Sequence, residues 1–211
     1  MLGMPRRDVA VVVGLAGLTT LLFVLVAIPS TLARIQRVDD SFLRQMVSIR
    51  SGPLTAAAKV LNFLGLVYVT LPVRLAVAGF LALRRRWWHF SAFVGAMVLS
   101  EALIGTLKGV YDRARPPASL VHTSGGSFPS GHAVAASVTV VGAVIALFPE
   151  GGKRYAWGAA AVAFSLVMGL SRAYLGAHWL SDAVAGTLLG TSIALGTAVV
   201  IHFVRERTRA G

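Results

Sequence analysis

The chain has no cysteine, which excludes a disulfide framework, a thiolate zinc site and cysteine catalysis. It is also poor in charge: 13% of its 211 residues are Asp, Glu, Lys or Arg, against roughly 25% in a soluble domain. Acids are the scarcest, 8 against 20 Lys and Arg, which leaves a formal net charge of +12. Internal repeats and low-complexity segments are absent too. What is abundant is apolar: 56% of residues are hydrophobic and the mean hydropathy is +0.74. That excludes disorder, because chains that stay unfolded lack the apolar surface to bury. A basic balance often signals nucleic acid. Here the hydrophobicity argues for a membrane protein instead. Its basic residues then sit in loops, near lipid headgroups or at a site for an anionic substrate, and no nucleic-acid partner is expected.

A membrane crossing needs about 20 apolar residues. Six runs qualify, at residues 9–32, 60–83, 90–107, 131–148, 156–174 and 180–203. The first exceeds the ~7–15-residue core of a cleaved signal peptide and reads as a span. The segment 34–59 is too polar to cross and reads as short interfacial helices. Trp87 and Trp88 follow three arginines as interfacial anchors, and Trp157 and Trp179 fit aromatic belts. Gly186, Gly190 and Gly196 read as small residues that let spans pack closely. The fold class expected is all-α, a single membrane-embedded domain over 1–211, six transmembrane helices with interfacial helices after the first, and a motif-bearing core at 88–204.

Basic residues divide evenly between the two faces. Arg6, Arg7, Arg84, Arg85, Arg86, Lys153, Arg154, Arg205, Arg207 and Arg209 fall on one side. Arg34, Arg37, Arg44, Arg50, Lys59, Arg74, Lys108, Arg113, Arg115 and Arg172 fall on the other. The first group occupies short loops and tails at span ends, where the positive-inside rule applies. Both termini are therefore expected in the cytoplasm and the loop 108–130 outside.

Three clusters lie at the outer ends of the last four spans: Lys108-x6-Arg115-Pro116, Pro129-Ser130-Gly131-His132, and Ser171-Arg172-x5-His178-x3-Asp182. Each residue has a plain reading by itself. Lys108 and Arg115 suit snorkelling or loop charges, Ser130 a helix N-cap, and His178 with Asp182 an i,i+4 hydrogen bond. Together they solve one chemical problem. Lys108, Arg115 and Arg172 make a cationic clamp for phosphate, the arginines contributing planar forks. Ser130 and Gly131 open a span whose N-terminal N–H groups and dipole favour an anion, and glycine there allows close approach to the backbone. Of the two histidines, one can attack phosphorus and the other can protonate the leaving oxygen.

These clusters resemble, at every specified position and in order, the signature motifs of the type 2 phosphatidic acid phosphatase superfamily. The six-span layout is similar to its bacterial members of the phosphatidylglycerophosphatase B and undecaprenyl-diphosphatase kind. The resemblance implies that His178 is the nucleophile that forms a phosphohistidine, oriented by Asp182. His132 would be the acid for the leaving group and then the base for water. Lys108, Arg115, Ser130, Gly131 and Arg172 would hold the phosphoryl oxygens. Positioning and electrostatics dominate phosphoryl transfer, and free histidine titrates near ~6.5, so a neutral nucleophile beside a protonated acid is attainable. No cofactor or metal is expected, because the cations supply the positive charge.

The implied activity is removal of a terminal phosphate from a membrane lipid at the outer leaflet of a bacterial inner membrane. The lipid substrate and the surrounding membrane lipids are then its expected partners. An undecaprenyl diphosphate suits the outward site, with phosphatidic acid and phosphatidylglycerol phosphate as competitors. A lipid transporter is the non-enzymatic alternative and predicts broken-helix repeats in both halves.

Outside the motifs, Glu101 lies within a span, as either a structural partner or a substrate contact. Asp112 and Arg113 read as solvated loop charges, and His122 as a candidate for a second headgroup contact. His89 and His202 read as interfacial.

Overall fold

The structure is a computed structural model that describes residues 6–117 and 119–210, without the side chains of residues 6–8 and 210. The side chains of Arg6 and Arg7, counted above toward the inner face, lie outside the described residues. Within them the chain is all helical: α1 (Arg6–Ala27), α2 (Pro29–Ser48), α3 (Gly52–Leu64), α4 (Val67–Leu83), α5 (Trp87–Tyr111), α6 (Gly131–Leu147), α7 (Gly152–Tyr174) and α8 (Leu180–Ala210).

Among the described residues, four stretches are long and apolar enough to cross a membrane unaided: Val9–Ala27 in α1, and α5, α7 and α8. Helices α3 and α4 meet the same test only as a pair, bent by 51° at their break. Helix α6 is apolar but has 17 residues. It is also the helix most enclosed, with Ala133, Val134, Val138, Val141 and Ile145 all buried.

The first apolar run ends at Ala27 and not at residue 32. Pro29 cannot donate a backbone hydrogen bond to continue α1, yet it suits the first position of the next helix, and α2 begins on it. The expected short interfacial helices are replaced by one helix of 20 residues, α2, and by α3, which belongs to the bent pair. Helix α2 keeps Arg34, Arg37 and Arg44 exposed and turns Leu32, Ile35 and Asp39 inward.

Two features fix the bundle around the site. A methyl group on Gly186 would lie 2.6 Å from the Ser130 carbonyl oxygen, and one on Gly190 2.6 Å from that of Val134. Glycine thus lets α8 pass directly over the start of α6. Gly196, expected to act likewise, would meet only Val12, at 3.9 Å. Arg74 of α4, itself buried, bonds Glu101 of α5, whose side chain is exposed, at 2.7 Å, and the buried Thr139 of α6 at 2.8 Å. Glu101 is therefore the structural partner of a buried cation, which ties three helices together.

Candidate active site

His178 sits in the turn that joins α7 to α8 and is 3% exposed. Its Nδ1 lies 2.7 Å from the Ser127 carbonyl oxygen, an acceptor only, so Nδ1 carries the hydrogen and Nε2 keeps its lone pair. Nε2 lies 3.2 Å from Nη1 of Arg115. The Asp182 carboxylate stands further from the ring, Oδ2 to Nδ1 being 3.5 Å. Asp182 is fully buried and committed elsewhere as well: Oδ2 accepts the Trp179 N–H at 2.8 Å and Oδ1 accepts Arg113 Nη1 at 2.8 Å. Its backbone carbonyl accepts the Ser130 N–H at 3.0 Å, which locks the start of α6 to the start of α8.

The other predicted residues gather at the same end of the bundle. Lys108, in the last turn of α5, lies within electrostatic reach of Arg115, Arg172 and Asp182, and its Cε would stand 4.0 Å from a Cβ added to Gly131. Ser130 is the N-cap of α6 and Gly131 its first residue. His132 Nε2 lies 3.3 Å from the Asn62 carbonyl oxygen, and Arg172 Nη1 bonds the side-chain oxygen of the same Asn62. Among the described residues, Ser130 Oγ and Arg172 Nε are buried without a hydrogen-bond partner. Buried polar atoms left unpaired are costly, and both belong to the set expected to grip phosphoryl oxygens. Arg115 also shapes the rim of the site. Its guanidinium donates to the Gly125 carbonyl at 2.9 Å, Ser124 at 2.7 Å and Ala177 at 2.7 Å, pinning the outer loop against the α7–α8 turn. Among the described residues, no three His, Asp or Glu side chains converge as metal ligands.

Two expectations are corrected. Arg113 is a buried hub and not a solvated loop charge, because each of its terminal nitrogens has two oxygen partners that compensate for lost water. Trp179 is no membrane-belt residue: it is buried, its Nε1 donates to the Ala114 carbonyl at 2.8 Å, and Arg113 lies 5.6 Å from its ring centre. Asp112 and His122 are exposed. Asn62 and Ser127 stand in the site, and Gln36, Asp39 and Ser181 stand behind it around Arg113; none of the five was expected as a site residue from the sequence. Asn62 left a trace there, as a polar interruption of the second apolar run.

Burial pushes the His178 pKa down from 6.5 to about 4, Arg115 and Arg172 push the same way, and Asp182 opposes them. The neutral ring is thus the native form above about pH 4. Two consequences follow from that sign. If His178 acts as the nucleophile expected from the sequence, the acid limb of kcat/KM, which reports the free enzyme, falls near pH 4 and not near 6.5. The contribution of His178 to stability is complete above pH 6.5 and is lost as pH falls toward 4. A kcat/KM profile between those values checks the first point: a limb at 6.5 would show that the ring is not held neutral.

The family model of the PAP2 superfamily matches residues 89–209. The chain is 30% identical over 176 residues to phosphatidylglycerophosphatase B of Bacillus subtilis, covering 81% of this chain and 86% of that one. It is 36% identical over 125 residues to a lipid A 1-phosphatase of Rhizobium johnstonii, covering 54% of this chain and 48% of that protein. In fold it is similar to the crystal structure of a transmembrane PAP2-type phosphatidylglycerolphosphate phosphatase from Bacillus subtilis. The TM-score is 0.76 at 24% identity, over 93% of this chain and 96% of the other. The crystal structure of Aquifex aeolicus LpxE gives 0.61 at 23%, over 74% and 92%. With three motif clusters folded into one buried, cation-rich site and a family match spanning α5 to α8, the chain belongs to the PAP2 superfamily and is a phosphatase of that family.

Proposed function

We propose that this phosphatase is a multi-pass membrane enzyme that removes a terminal phosphate from a lipid, using His178 as nucleophile and no metal ion. The observation that carries the reading is the state of His178. Its Nδ1–H is taken by the Ser127 carbonyl, so the Nε2 lone pair faces the cationic cluster, 3.2 Å from Arg115. Nε2 attacks phosphorus, an N–P bond forms and the P–O bond to the lipid breaks. His132 Nε2 gives its proton to the departing oxygen. Water then attacks the phosphohistidine, His132 takes a proton from it, and the N–P bond breaks to free phosphate. Lys108, Arg115, Arg172, Ser130 and Gly131 hold the phosphoryl oxygens through both steps.

The proposed topology has six crossings, with α3–α4 as one bent span and α6 as a short, protein-enclosed one. The termini are cytoplasmic and the site opens on the outer face, in a bacterial inner membrane. An outward site suits a polyprenyl diphosphate such as undecaprenyl diphosphate. Phosphatidylglycerol phosphate is the second reading, and the likeness to phosphatidylglycerophosphatase B over most of both chains favours it.

Phosphate release from detergent-solubilised protein tests the whole reading. Undecaprenyl diphosphate, phosphatidylglycerol phosphate and phosphatidic acid are compared, each with and without EDTA. The expected outcome is turnover of at least one lipid at an unchanged rate in EDTA. Loss of activity in EDTA with recovery on added metal would contradict the mechanism.

A further inference from the structure

We infer that Asp39 and Arg113 form a buried positioning couple that keeps the negative charge of Asp182 available to His178, so that α2 helps set the power of a site whose proposed catalytic residues lie in α6, in α8 and in the turn before α8. The inference rests on His178 as nucleophile. Its geometry is closed on every side. Arg113 Nη1 donates to Ser181 Oγ at 2.7 Å and to Asp182 Oδ1 at 2.8 Å. Nη2 donates to Gln36 Oε1 and Asp39 Oδ2, both at 2.7 Å. Asp39 is 2% exposed. Its Oδ1 accepts the Ser181 N–H at 2.9 Å and its Oδ2 accepts the Ser181 hydroxyl at 2.6 Å. A carboxylate from α2 therefore caps the first turn of α8, the turn that carries Asp182.

The charge balance gives this contact a catalytic consequence. A guanidinium paired with Asp182 alone would neutralise it. Two buried carboxylates share Arg113, so the cluster keeps one net negative charge. Asp182 Oδ2, which Arg113 does not touch, stands 3.5 Å from His178 Nδ1. When Nε2 takes up a phosphoryl group the ring becomes cationic, and its other charged neighbours, Arg115 and Arg172, both oppose that charge. The surplus charge that Asp39 supplies offsets them. Holding Asp182 by Oδ1 also leaves Oδ2 as the oxygen directed to the ring.

The test compares Asp39→Asn, which keeps shape and removes charge, with Gln36→Ala, which removes an uncharged contact to the same arginine. Both are purified in detergent and assayed on dioctanoyl phosphatidic acid. For Asp39→Asn, kcat and the rate of phosphoenzyme formation should fall about 10- to 100-fold while KM stays within about threefold. The melting temperature falls as well, because an amide N–H replaces an oxygen that accepts from Arg113 or Ser181, so the split between kcat and KM is the readout. Gln36→Ala should change kcat by less than about threefold, since no charge is lost.

An unchanged kcat in Asp39→Asn overturns the inference. Equal losses in both variants overturn it too, because the couple is then only a clip between helices. If Asp39→Asn does not fold, Arg113→Lys decides. It keeps the cation and loses the fork, and should lower kcat about tenfold or more at steady KM. An unchanged kcat, or failure of this variant to fold as well, overturns the proposal. His178→Ala in the same assay separates the two levels. If it stays active, the nucleophile reading fails whatever Asp39 does.

Discussion

Replacing His178 by Ala should lower phosphate release by about 10⁴-fold or more, the scale seen when a covalent nucleophile is removed. Substrate binding should survive, because none of the groups proposed to grip phosphate is touched. The fold should survive as well. The substitution strands the Ser127 carbonyl, a buried acceptor whose loss of partner costs about 1–3 kcal/mol, against roughly 5–15 kcal/mol of stability in a typical domain. Turnover of a lipid phosphate and equilibrium binding of the same lipid, measured on one preparation, separate the effects. Near-normal turnover would remove His178 from the chemistry.

His132→Ala should be nearly as severe but selective. General acid catalysis contributes about 10²- to 10⁴-fold, and the need for it grows with the basicity of the leaving oxygen. A lipid alcohol leaves as a strongly basic alkoxide unless protonated, so its phosphate monoester should lose the full factor. An aryl phosphate with an acidic phenol should lose much less. The ratio of the two losses is the measurement, and equal losses on both substrates would argue against the acid role. The acid form is the doubly protonated ring, which an anionic substrate beside it favours, and its Nε2, 3.3 Å from the Asn62 carbonyl, already carries a hydrogen toward an oxygen.

The parts of the site that read directly from the chain are those whose chemistry is carried by side-chain type and spacing. Lys108, Arg115, Ser130, Gly131, His132, Arg172, His178 and Asp182 are intelligible as a phosphate site before any fold is known, and the fold gathers them at one end of α5 to α8. The parts that did not read are those made by tertiary approach or by backbone. The oxygen that fixes the His178 tautomer belongs to the Ser127 main chain, which no residue type announces. Asp39 reaches Arg113 across 74 positions, and Asn62 reaches Arg172 across 110. Such contacts depend on how helices pack and not on any local period. Arg113 misled for a related reason. A lone arginine in a polar loop is normally hydrated, and only the arrival of Gln36 and Asp39 from α2 makes its burial tolerable. Trp179 followed it inward. For the helices, four of the six apolar runs coincide with helices long and apolar enough to cross alone, and a single proline moved the end of the first back to Ala27.

The length of α8 has a consequence for depth. Its 31 residues at about 1.5 Å each reach roughly 46 Å, against a hydrocarbon thickness of about 30 Å. Hiding the excess by leaning would take an inclination of about 50°, beyond the range of about 0–40° that membrane helices adopt. Part of α8 therefore projects from the bilayer, and its last turns carry Arg205, Arg207 and Arg209. Those arginines act as a vertical stop. They limit how far the rod can sink, and Asp182 lies near its other end, about 40 Å away by the same rise per residue.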